Sequence, residues 1–455
     1  MTFQSVNPHN PADIIGEWEP ASEAGVAAAV TRAAAAAQAW RLTPAPAKAS
    51  ALGAAAAAVQ ARAADLTEMV IREVGKPRSE AAGEVARGVS ILRYYAQLAL
   101  LPDGETIPAA GPDTLLMSRH RPVGVTALLT PWNFPVAIPL WKAAPSLAFG
   151  NATILKPSSA AAGVALALHD IIAPHLPGDT FQVLLGGAVP AQALARHPGV
   201  AAVSFTGSVP AGRSVITAVA SRGARVQAEM GGQNASIVLA DADCDRAATA
   251  IAYAAFGYAG QKCTATSRII VEDSCYEKFT GALRAAVAAL RVTDPSADET
   301  LVGPVIDDQS RSAALAAVAA GGGRVLAGGT ALDAPGYYLA PTLVELDSPE
   351  GPLAREEVFA PVAAVLRASS PEQAVAIAND VPFGLVSSLF TADLGHALRL
   401  TGQLDAGLIR VNAPTSGVDF QAPFGGTGES SYGPREQGTA AREFYTETRT
   451  VTIVP

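Results

Sequence analysis

The sequence predicts an α/β protein in which helices cover parallel β-sheets. Between Gly124 and Glu229, short apolar runs alternate with helix-forming stretches, and a second alternating block runs from Ile237 to Val411. Repeated alternation of this kind produces parallel strands with helices on both faces of the sheet. Ahead of both blocks, residues 23–97 are rich in Ala, Leu, Glu and Arg, which predicts a helical region.

Each block divides into short predicted strands. In the first block they are residues 125–129, 153–156, 181–185, 200–205 and 225–229. In the second block they are residues 237–239, 268–271, 324–326, 342–344, 362–366 and 408–411. A strand-like stretch at 113–122 and an alternating strand at 449–454 lie outside both blocks, and such a terminal strand often pairs with another element or subunit. Parallel sheets bind ligands at the carboxyl ends of their strands, so a site is expected after these runs.

Composition excludes several classes of partner. The net charge of −9 comes from 32 basic and 41 acidic residues without a long run of either sign, and phosphate backbones need a basic stripe. No stretch of about 20 unbroken apolar residues predicts a membrane span. The N-terminal residues show no secretory signal, and three cysteines without CxxC spacing fit a reducing compartment. We therefore expect a cytoplasmic protein with neither nucleic acid nor membrane as partner.

Cys263 is the candidate nucleophile. It follows Phe256-Gly-Tyr-Ala-Gly-Gln-Lys262, and small polar residues come after it. A cation beside a thiol stabilises the thiolate, and Lys262 is the adjacent residue. Cys244 has acidic neighbours, and Cys275 has no motif around it. A single Cys is more often a small buried hydrophobic residue, so the surrounding motif carries this prediction.

Two polar side chains at strand ends have chemistry that fits a thiol nucleophile. Glu229 ends a predicted strand and is followed by Gly231 and Gly232, which leave room for a ligand. A carboxylate with a raised pKa serves as a general base toward water. Asn133 lies between two prolines in Thr-Pro-Trp-Asn-Phe-Pro, and an amide held rigidly can donate to a developing oxyanion. The simpler interpretations are a surface carboxylate at a turn and a Pro-rich turn.

Two other segments are candidate phosphate or ribose contacts. Phe205-Thr-Gly207-Ser208 joins a strand to a helix, as in a phosphate site at a helix N-terminus, although the full G-x-G-x-x-G pattern is absent. Lys156-Pro-Ser-Ser159 also follows a strand. The six histidines fall in no metal-ligand or triad spacing, so neither a metal site nor a Ser-His-Asp hydrolase is expected.

Taken in order, these segments resemble the aldehyde dehydrogenase superfamily. The matching motifs are TPWNFP, KPS, FTGS, Glu-x-Gly-Gly, Gly-Gln-x-Cys, Glu357-Val-Phe-Ala-Pro361 and Pro423-Phe-Gly-Gly426. The resemblance implies two doubly wound α/β domains and a small β oligomerisation arm. By this comparison residues 1–110 and 125–230 form the dinucleotide-binding domain, residues 231–422 the catalytic domain, and residues 111–124 and 440–455 the arm.

The resemblance also implies a role for individual residues. Cys263 matches the nucleophile, Glu229 the general base and Asn133 the oxyanion donor. The cofactor contacts that it implies are Trp132, Lys156, Ser159, Gly207, Ser208, Gly231, Glu357 and Phe359. The aldehyde tunnel that it implies is lined by Phe134, Ile138, Trp141, Val418 and Phe424.

The implied reaction is NAD(P)-dependent oxidation of an aldehyde to a carboxylic acid. Cys263 would form a thiohemiacetal, hydride transfer would leave a thioester, and water activated by Glu229 would hydrolyse it. Such chemistry is non-acylating, since members that transfer the acyl group to coenzyme A typically lack this carboxylate. The family commonly has Glu where this chain has Ser159, and a carboxylate there repels a 2′-phosphate. We therefore predict that NADP is tolerated or preferred alongside NAD.

Residues 414–420 and 430–437 are similar to the branch that oxidises α-ketoglutaric semialdehyde and related acid semialdehydes. For the substrate carboxylate, Arg268 and Arg435 are candidates, but surface or structural roles are more usual for such residues. The expected partner is a small aldehyde, and the expected assembly is a homodimer or homotetramer. The alternatives are a catalytically silent binding protein of the same fold and a thioesterase or esterase that uses Cys263 alone.

Overall fold

The computed structural model describes residues 2–455, and its helices and strands alternate along most of that range. The helices are α1 (Glu23–Trp40), α2 (Ala45–Ala61), α3 (Ala63–Val74), α4 (Arg78–Leu98), α5 (Ala137–Ala148), α6 (Ala162–Ile172), α7 (Ala188–Arg196), α8 (Val209–Ala220), α9 (Cys244–Phe256), α10 (Tyr276–Ala288), α11 (Asp308–Ala320), α12 (Pro352–Arg355), α13 (Pro371–Asn379), α14 (Leu394–Thr401) and α15 (Ala441–Tyr445). Within the described range, no helix is both long and apolar enough to cross a membrane.

The strands are β1 (Phe3–Val6), β2 (Ile14–Trp18), β3 (Thr106–Ile107), β4 (Leu115–Pro122), β5 (Val125–Thr130), β6 (Ala152–Pro157), β7 (Phe181–Val183), β8 (Ala202–Thr206), β9 (Arg225–Glu229), β10 (Asn234–Val238), β11 (Thr266–Glu272), β12 (Arg324–Ala327), β13 (Thr342–Glu345), β14 (Val362–Ala368), β15 (Phe383–Gly384), β16 (Val386–Phe390), β17 (Leu408–Val411), β18 (Thr427–Gly428), β19 (Ser431–Tyr432) and β20 (Thr446–Ile453). The α/β fold class predicted from the alternation is confirmed.

The predicted helical region before the first block consists of α1 to α4. Ser22 caps α1 by accepting a hydrogen bond from the backbone N–H of Gly25. Pro44 precedes α2 and Pro77 precedes α4, where a missing N–H costs nothing because the first turn has no intrahelical acceptor. Gly75 ends α3 at φ +65°, a left-handed conformation that glycine adopts without strain.

The first alternating block forms a six-stranded sheet in the order β19-β9-β8-β5-β6-β7. Its strands are parallel except β19, which pairs antiparallel with β9. Every residue of β5, β6 and β8 is buried, as expected for a sheet covered on both faces. On one face lies α5, all twelve residues of which are buried.

The second block forms a seven-stranded sheet in the order β12-β13-β14-β11-β10-β16-β17. Its strands are parallel apart from β12, and its buried residues form a separate apolar cluster with α9 and α10. Strand β16 (Val386-Ser-Ser-Leu-Phe390) was not among the predicted strands, because its two central serines interrupt the apolar run. Both serines are buried, and Ser388 donates to the carbonyl of Ala413.

Strand β20 finds its partner outside both large sheets. It pairs antiparallel with β4 over eight residue pairs, from Thr446–Pro122 to Ile453–Leu115, and β3 completes a three-stranded sheet. The strand-like stretch near residue 115 and the terminal strand are therefore one structural unit. Its outer end carries exposed apolar side chains, with Ile453 52% and Leu115 42% exposed.

Candidate active site

Cys263 lies in the loop between α9 and β11, which enters the second sheet. The backbone before it turns through Tyr258 and Ala259, both at positive φ (56° and 54°), and Gly260 at φ +68°. Non-glycine residues adopt this conformation only where surrounding structure compels it. At Gly260 a Cβ atom would also collide with the carbonyl oxygen of Ala360. The loop is thus held in a strained shape.

Two buried amides fix the position of this loop. Gln261 accepts from the backbone N–H of Ile306 at 2.8 Å and donates to the carbonyl of Pro304 at 3.2 Å. Asn234 donates to the carbonyls of Cys263 and Ala265 at 2.8 and 2.7 Å. Both side chains are almost completely buried, so their hydrogen bonds are shielded from water and hold the backbone of Cys263 in place.

Asn133 is joined to the same loop. Its Nδ2 donates to the carbonyl oxygen of Gln261 at 2.9 Å. A side-chain amide nitrogen carries two hydrogens, so one N–H remains available after this contact. Asn133 is 3% exposed, and its Oδ1 has no hydrogen-bond partner among residues 2–455. The amide is therefore buried, tethered and still able to donate.

Glu229 ends β9 beside strand β19. Its Oε2 accepts from the hydroxyl of Ser431 at 2.7 Å, and its carboxyl group is 4% exposed. Burial raises the pKa of Glu229 well above its usual value, and the charge of Glu436 raises it further, while Ser431, Lys142 and Arg435 oppose the shift. A carboxyl group whose pKa is raised by burial accepts a proton more readily than an ordinary carboxylate.

A buried ion pair lies behind Glu229. Lys142 forms an ion pair with Glu436, and both side chains are 2% exposed or less. Glu436 also accepts from the indole N–H of Trp141 at 2.7 Å and from the amide of Gln227 at 2.9 Å. Donors thus surround the buried Glu436 carboxylate, and its charge acts on Glu229.

The thiol of Cys263 shares this negative environment. Burial raises its pKa to about 12, and the charges of Glu229 and Glu357 contribute to the increase, so both carboxyl groups lie close to the sulfur. The expectation that Lys262 stabilises the thiolate is wrong. The Lys262 ammonium instead donates to Glu80 at 2.7 Å and lies 5.0 Å from the ring centre of Tyr253.

Cys263 opens into a cavity of about 460 Å³. Four of the five residues that the resemblance assigned to a tunnel line this cavity: Phe134, Trp141, Val418 and Phe424. Ile138 does not line it. The Ile138 side chain is 0% exposed and packs in the core around α5.

The two arginines considered for a substrate carboxylate lie elsewhere. Arg268 is buried and donates to the carbonyls of Gln233, Ile377 and Ala378, and burial lowers its pKa to about 10. Arg435 donates to the carbonyl of Gly426. Neither lines the cavity that Cys263 opens into, so Arg268 holds the backbone together and Arg435 supports the loop beside Glu229.

The remaining predicted residues lie at the carboxyl ends of strands in the first sheet or on the segment that follows α12. Glu357 accepts from the backbone N–H of Gly232 at 3.0 Å, and burial raises its pKa to about 7. Glycine at position 231 leaves room for the Glu357 carboxylate, which a Cβ atom there would displace. Phe359, at φ +53°, meets Trp132 edge to face with ring centres 5.8 Å apart.

Polar groups are also placed beyond this aromatic pair. The Lys156 ammonium makes one long contact, 3.4 Å to the carbonyl of Gly187, and burial lowers its pKa to about 8. Ser208 precedes α8 in extended conformation without using its hydroxyl to cap the helix. Gly207 is directly before it, and Ser159 begins a short 3₁₀ turn after β6. The Lys156 ammonium and the Ser208 hydroxyl are thus polar groups placed at the ends of strands in the first sheet.

Comparison with known proteins decides the family. The aldehyde dehydrogenase family model matches residues 1–451. The chain belongs to the aldehyde dehydrogenase family. As a member it is an oxidoreductase that acts on aldehydes and converts them to acids, as the sequence resemblance implied.

Curated relatives include two proteins with similar names. The alpha-ketoglutaric semialdehyde dehydrogenase of Bacillus subtilis (strain 168) is 40% identical over 99% of this chain and 94% of its own length. The alpha-ketoglutarate semialdehyde dehydrogenase of Haloferax volcanii is 38% identical over 99% of this chain and 95% of its own length. The branch suggested by residues 414–420 and 430–437 is thus the one to which these relatives belong.

Solved structures agree with this assignment. The NAD-dependent aldehyde dehydrogenase of Sinorhizobium meliloti superposes with a TM-score of 0.96 at 32% identity, covering 100% of this chain and 91% of that one. PnpE in complex with nicotinamide adenine dinucleotide also gives a TM-score of 0.96, at 34% identity, and covers 100% of this chain and 94% of that one. The predicted fold class of the aldehyde dehydrogenase is therefore confirmed.

Several site residues of this aldehyde dehydrogenase were missed from sequence. Gln261 and Asn234 lie inside quoted motifs, and a search for polar residues within those motifs would have found them. Ser431 and Glu436 follow the PFGG motif, but only strand pairing reveals that they reach Glu229. Lys142 lies in an apolar run and gives no sequence signal beyond being a lone charge there.

Proposed function

We propose that this aldehyde dehydrogenase oxidises its substrate through covalent chemistry at Cys263, with a nicotinamide dinucleotide as electron acceptor. The observation that carries the proposal is the convergence of three side chains on one loop. Asn133 is bonded to the backbone two residues before Cys263, and the charge of Glu229 acts on the Cys263 thiol. Cys263 lines the cavity, and an amide donor and a carboxylate base beside its loop fit attack on a carbonyl group.

The first half of the reaction forms a bond between Cys263 and the aldehyde carbon. The thiol must lose its proton, and Glu229, with its raised pKa, is the carboxylate placed to accept it. The carbonyl oxygen becomes an oxyanion of a thiohemiacetal. The free N–H of Asn133 and the backbone N–H of Cys263 then supply two hydrogen bonds to it, the kind of contact that contributes about 3 kcal/mol to a barrier.

The residues beside Cys263 fit a bound dinucleotide. Glycine at 231 keeps backbone open next to the Glu357 carboxylate, which can accept hydrogen bonds from ribose hydroxyls. The edge-to-face rings of Trp132 and Phe359 provide an apolar wall, and Lys156 and the start of α8 provide donors for ribose and phosphate. When bound, the dinucleotide supplies a nicotinamide ring that takes a hydride, one proton with two electrons, from the substrate carbon.

The second half of the reaction hydrolyses a thioester. Glu229 is buried and held by the Ser431 hydroxyl, so its second oxygen is free to take a proton from water. Water attack on the thioester carbon releases the carboxylic acid and returns the Cys263 sulfur to its resting state. The same carboxylate thus serves in both halves, once toward sulfur and once toward water.

We propose that both NAD and NADP are accepted. Ser159 occupies the start of the 3₁₀ turn after β6, close in sequence to Lys156. A hydroxyl does not repel a 2′-phosphate, and the Lys156 ammonium attracts one. Turnover with NADP tests this directly, and Ser159→Glu should lower kcat/KM for NADP at least tenfold while leaving NAD usable. Absence of NADP turnover in the unaltered enzyme would contradict the proposal.

For the substrate we propose the semialdehyde of a dicarboxylic acid, with α-ketoglutaric semialdehyde first among the candidates. The names of the Bacillus and Haloferax relatives support this choice. Absorbance of the reduced cofactor reports turnover with a panel of acid, aromatic and neutral aliphatic aldehydes. A preference for a neutral or an aromatic aldehyde would overturn the substrate assignment.

The reaction itself is tested at Cys263. Cys263→Ala removes the nucleophile without adding volume, and it should abolish turnover while the reduced or oxidised cofactor still binds. Cys275→Ala is the matched control, because Cys275 is buried behind β11 and bonds only backbone carbonyls. Retained aldehyde oxidation in Cys263→Ala would remove this residue from the mechanism.

We further propose the division into a dinucleotide-binding domain (1–110 and 125–230), a catalytic domain (231–422) and an arm (111–124 and 440–455) that pairs subunits. The three-stranded sheet of β3, β4 and β20 supports an arm, because β20 is an edge strand with unpaired backbone groups. A homodimer or homotetramer should appear by light scattering. A chain ending at residue 445 should remain monomeric if the arm holds the assembly.

A further inference from the structure

Some of the charged side chains that line the cavity containing Cys263 are paired with opposite charges, and others are not. Two carboxylates of α4 face it, Glu80 and Glu84, and each is already paired with a lysine. Lys262 pairs with Glu80, and Lys76 pairs with Glu84 in a pair that is almost completely buried. These four charges cancel, so they neither attract nor repel an anion in the cavity.

Two guanidinium groups on the same wall are not cancelled. Arg87, one turn after Glu84 on α4, and Arg410, in β17, both line the cavity. Within residues 2–455, neither of them lies within 4.0 Å of a carboxylate. The cavity therefore carries two uncompensated positive charges in the same space as the Cys263 thiol.

One loop holds both arginines in place. Arg410 donates to the carbonyl of Gly417 at 2.8 Å, and Arg87 donates to the carbonyl of Val418. Each contact uses one of the five N–H groups that a guanidinium carries, so most of the donors of both remain free. The loop begins at the buried Thr415. The Thr415 hydroxyl forms a hydrogen bond with the hydroxyl of Thr266 in β11. The two guanidinium groups are thereby positioned by the strand that follows Cys263.

We infer that Arg87 and Arg410 bind the carboxylate at the far end of an acid semialdehyde while its aldehyde group meets Cys263. This inference rests on the proposed function and adds the residues that select an anionic substrate. A guanidinium recognises a carboxylate through two parallel N–H···O bonds, and both partners keep their charge at neutral pH. The aromatic side chains Phe134, Trp141 and Phe424 contact only the chain between the two ends of the substrate.

The same arrangement explains why the two lysines paired with Glu84 and Glu80 do not bind the substrate carboxylate. The ammonium groups of Lys76 and Lys262 are held by Glu84 and Glu80, and each also lies over an aromatic ring, Phe134 for Lys76 and Tyr253 for Lys262. Moving either to a substrate would leave a carboxylate unpaired. The arginines bond only backbone carbonyls, which lose little when a guanidinium shares its remaining donors with a ligand.

The test compares 5-oxopentanoate with pentanal, two aldehydes of equal carbon length of which only the first is anionic. Arg87→Met and Arg410→Met keep an unbranched side chain and remove the charge. Each should lower kcat/KM for 5-oxopentanoate by about 10- to 100-fold, mainly through KM, and should change kcat/KM for pentanal less than threefold. Arg410→Lys should lie between the wild type and Arg410→Met, since it keeps the charge without the paired donors.

Arg93→Met is the matched control, because Arg93 is on the same helix but bonds Gln60 on a surface away from this cavity. It should leave the ratio of the two substrates unchanged. Equal losses of kcat/KM with 5-oxopentanoate and pentanal would mean that the arginines only support the loop at 417–418. Unchanged kcat/KM for both substrates would mean that the arginines do not meet substrate. Either result overturns the inference.

If the wild-type enzyme oxidises pentanal but shows no preference for the acid, the inference fails and the proposed chemistry stands. If it oxidises no aldehyde, the proposed function itself fails.

Discussion

Replacing Glu84 by Gln should destabilise the protein more than neutralising any other carboxylate on α4. Glu84 is 4% exposed, and its Oε2 pairs with the Lys76 ammonium, which is itself 0% exposed. Its Oε1 accepts from the backbone N–H groups of Val136 and Ala137 at 2.8 and 2.9 Å. Gln has a carbonyl oxygen that can keep the two backbone contacts. The substitution therefore isolates the loss of the charge that faces Lys76.

The magnitude follows from what happens to the lysine. Removing one partner of a buried ion pair typically costs about 3–5 kcal/mol, because the other charge stays buried without compensation. Glu80 also attracts Lys76, and the rings of Phe134 and Tyr258 lie 3.8 and 4.5 Å from its ammonium. These contacts retain part of the stabilisation. We expect a loss near the lower end, about 3 kcal/mol.

The loss should also depend on pH in a defined direction. Burial lowers the pKa of Lys76 from its ordinary value of 10.5, and Glu84 is the group that most opposes this shift. In Glu84→Gln the native pKa falls further, so the unfolded chain binds more protons than the native chain over a wider range below 10.5. Stability rises with pH wherever the unfolded state binds more protons. The deficit should therefore shrink as the pH rises toward 10.5.

Urea unfolding followed by tryptophan fluorescence measures the difference. Glu68→Gln is the control, since Glu68 is 58% exposed and pairs with Arg78 at the surface, where a pair contributes about 1 kcal/mol or less. The double variant Lys76→Met with Glu84→Gln should recover most of the loss, because no charge is left buried. A cost below about 1 kcal/mol for Glu84→Gln would refute the reasoning.

Three further predictions concern the catalytic loop and the base. Glu229→Gln removes both the acceptor of the thiol proton and the base for hydrolysis, so the first equivalent of reduced cofactor should appear slowly and turnover should then stall with the acyl group on Cys263 visible by mass spectrometry, each half losing about 10²- to 10⁴-fold; continued rapid turnover would contradict this. Glu436→Gln removes a charge that raises the pKa of Glu229, so the acid limb of kcat should move to lower pH, and a pH–rate profile that stays in place would disprove the coupling. Gly260→Ala meets both a left-handed φ of +68° and the carbonyl of Ala360, so kcat should fall at least tenfold while cofactor affinity, measured by fluorescence titration, stays within threefold.

Local signals in the sequence were enough to predict the fold class and to select a cysteine that opens into a cavity. Apolar runs such as 125–129 and 268–271 became central strands, because parallel strands buried on both faces need continuous apolar residues. The Gly-Gln-x-Cys motif singled out Cys263 among three cysteines. Strand β16 escaped notice because Ser387 and Ser388 are buried, and their burial depends on partners far along the chain.

Long-range pairing explains what the sequence did not reveal about the site. Ser431 reaches Glu229 only because β19 pairs with β9, two strands separated by about two hundred residues. Arg87, from the helical region ahead of both blocks, and Arg410, from the second block, meet only at the loop around 417. Arg268 and Arg435 were the candidates for a substrate anchor because they lie near motifs. Proximity in sequence does not determine which guanidinium faces a cavity.

The electrostatics of the active site connect its two proton transfers. The pKa of Cys263 is raised to about 12 partly by the charge of Glu229, and burial together with Glu436 raises the pKa of Glu229. In the proposed mechanism the proton passes from the sulfur to Glu229, and the carboxylate that opposed the thiolate becomes neutral. Ionising the thiol in this way removes the charge of Glu229, which is one cause of the high pKa of Cys263. The thiolate leads to attack only while a substrate carbonyl is present to accept the sulfur. Before hydrolysis Glu229 must lose that proton again, and Lys142 and Arg435 are the cations that favour its ionised form.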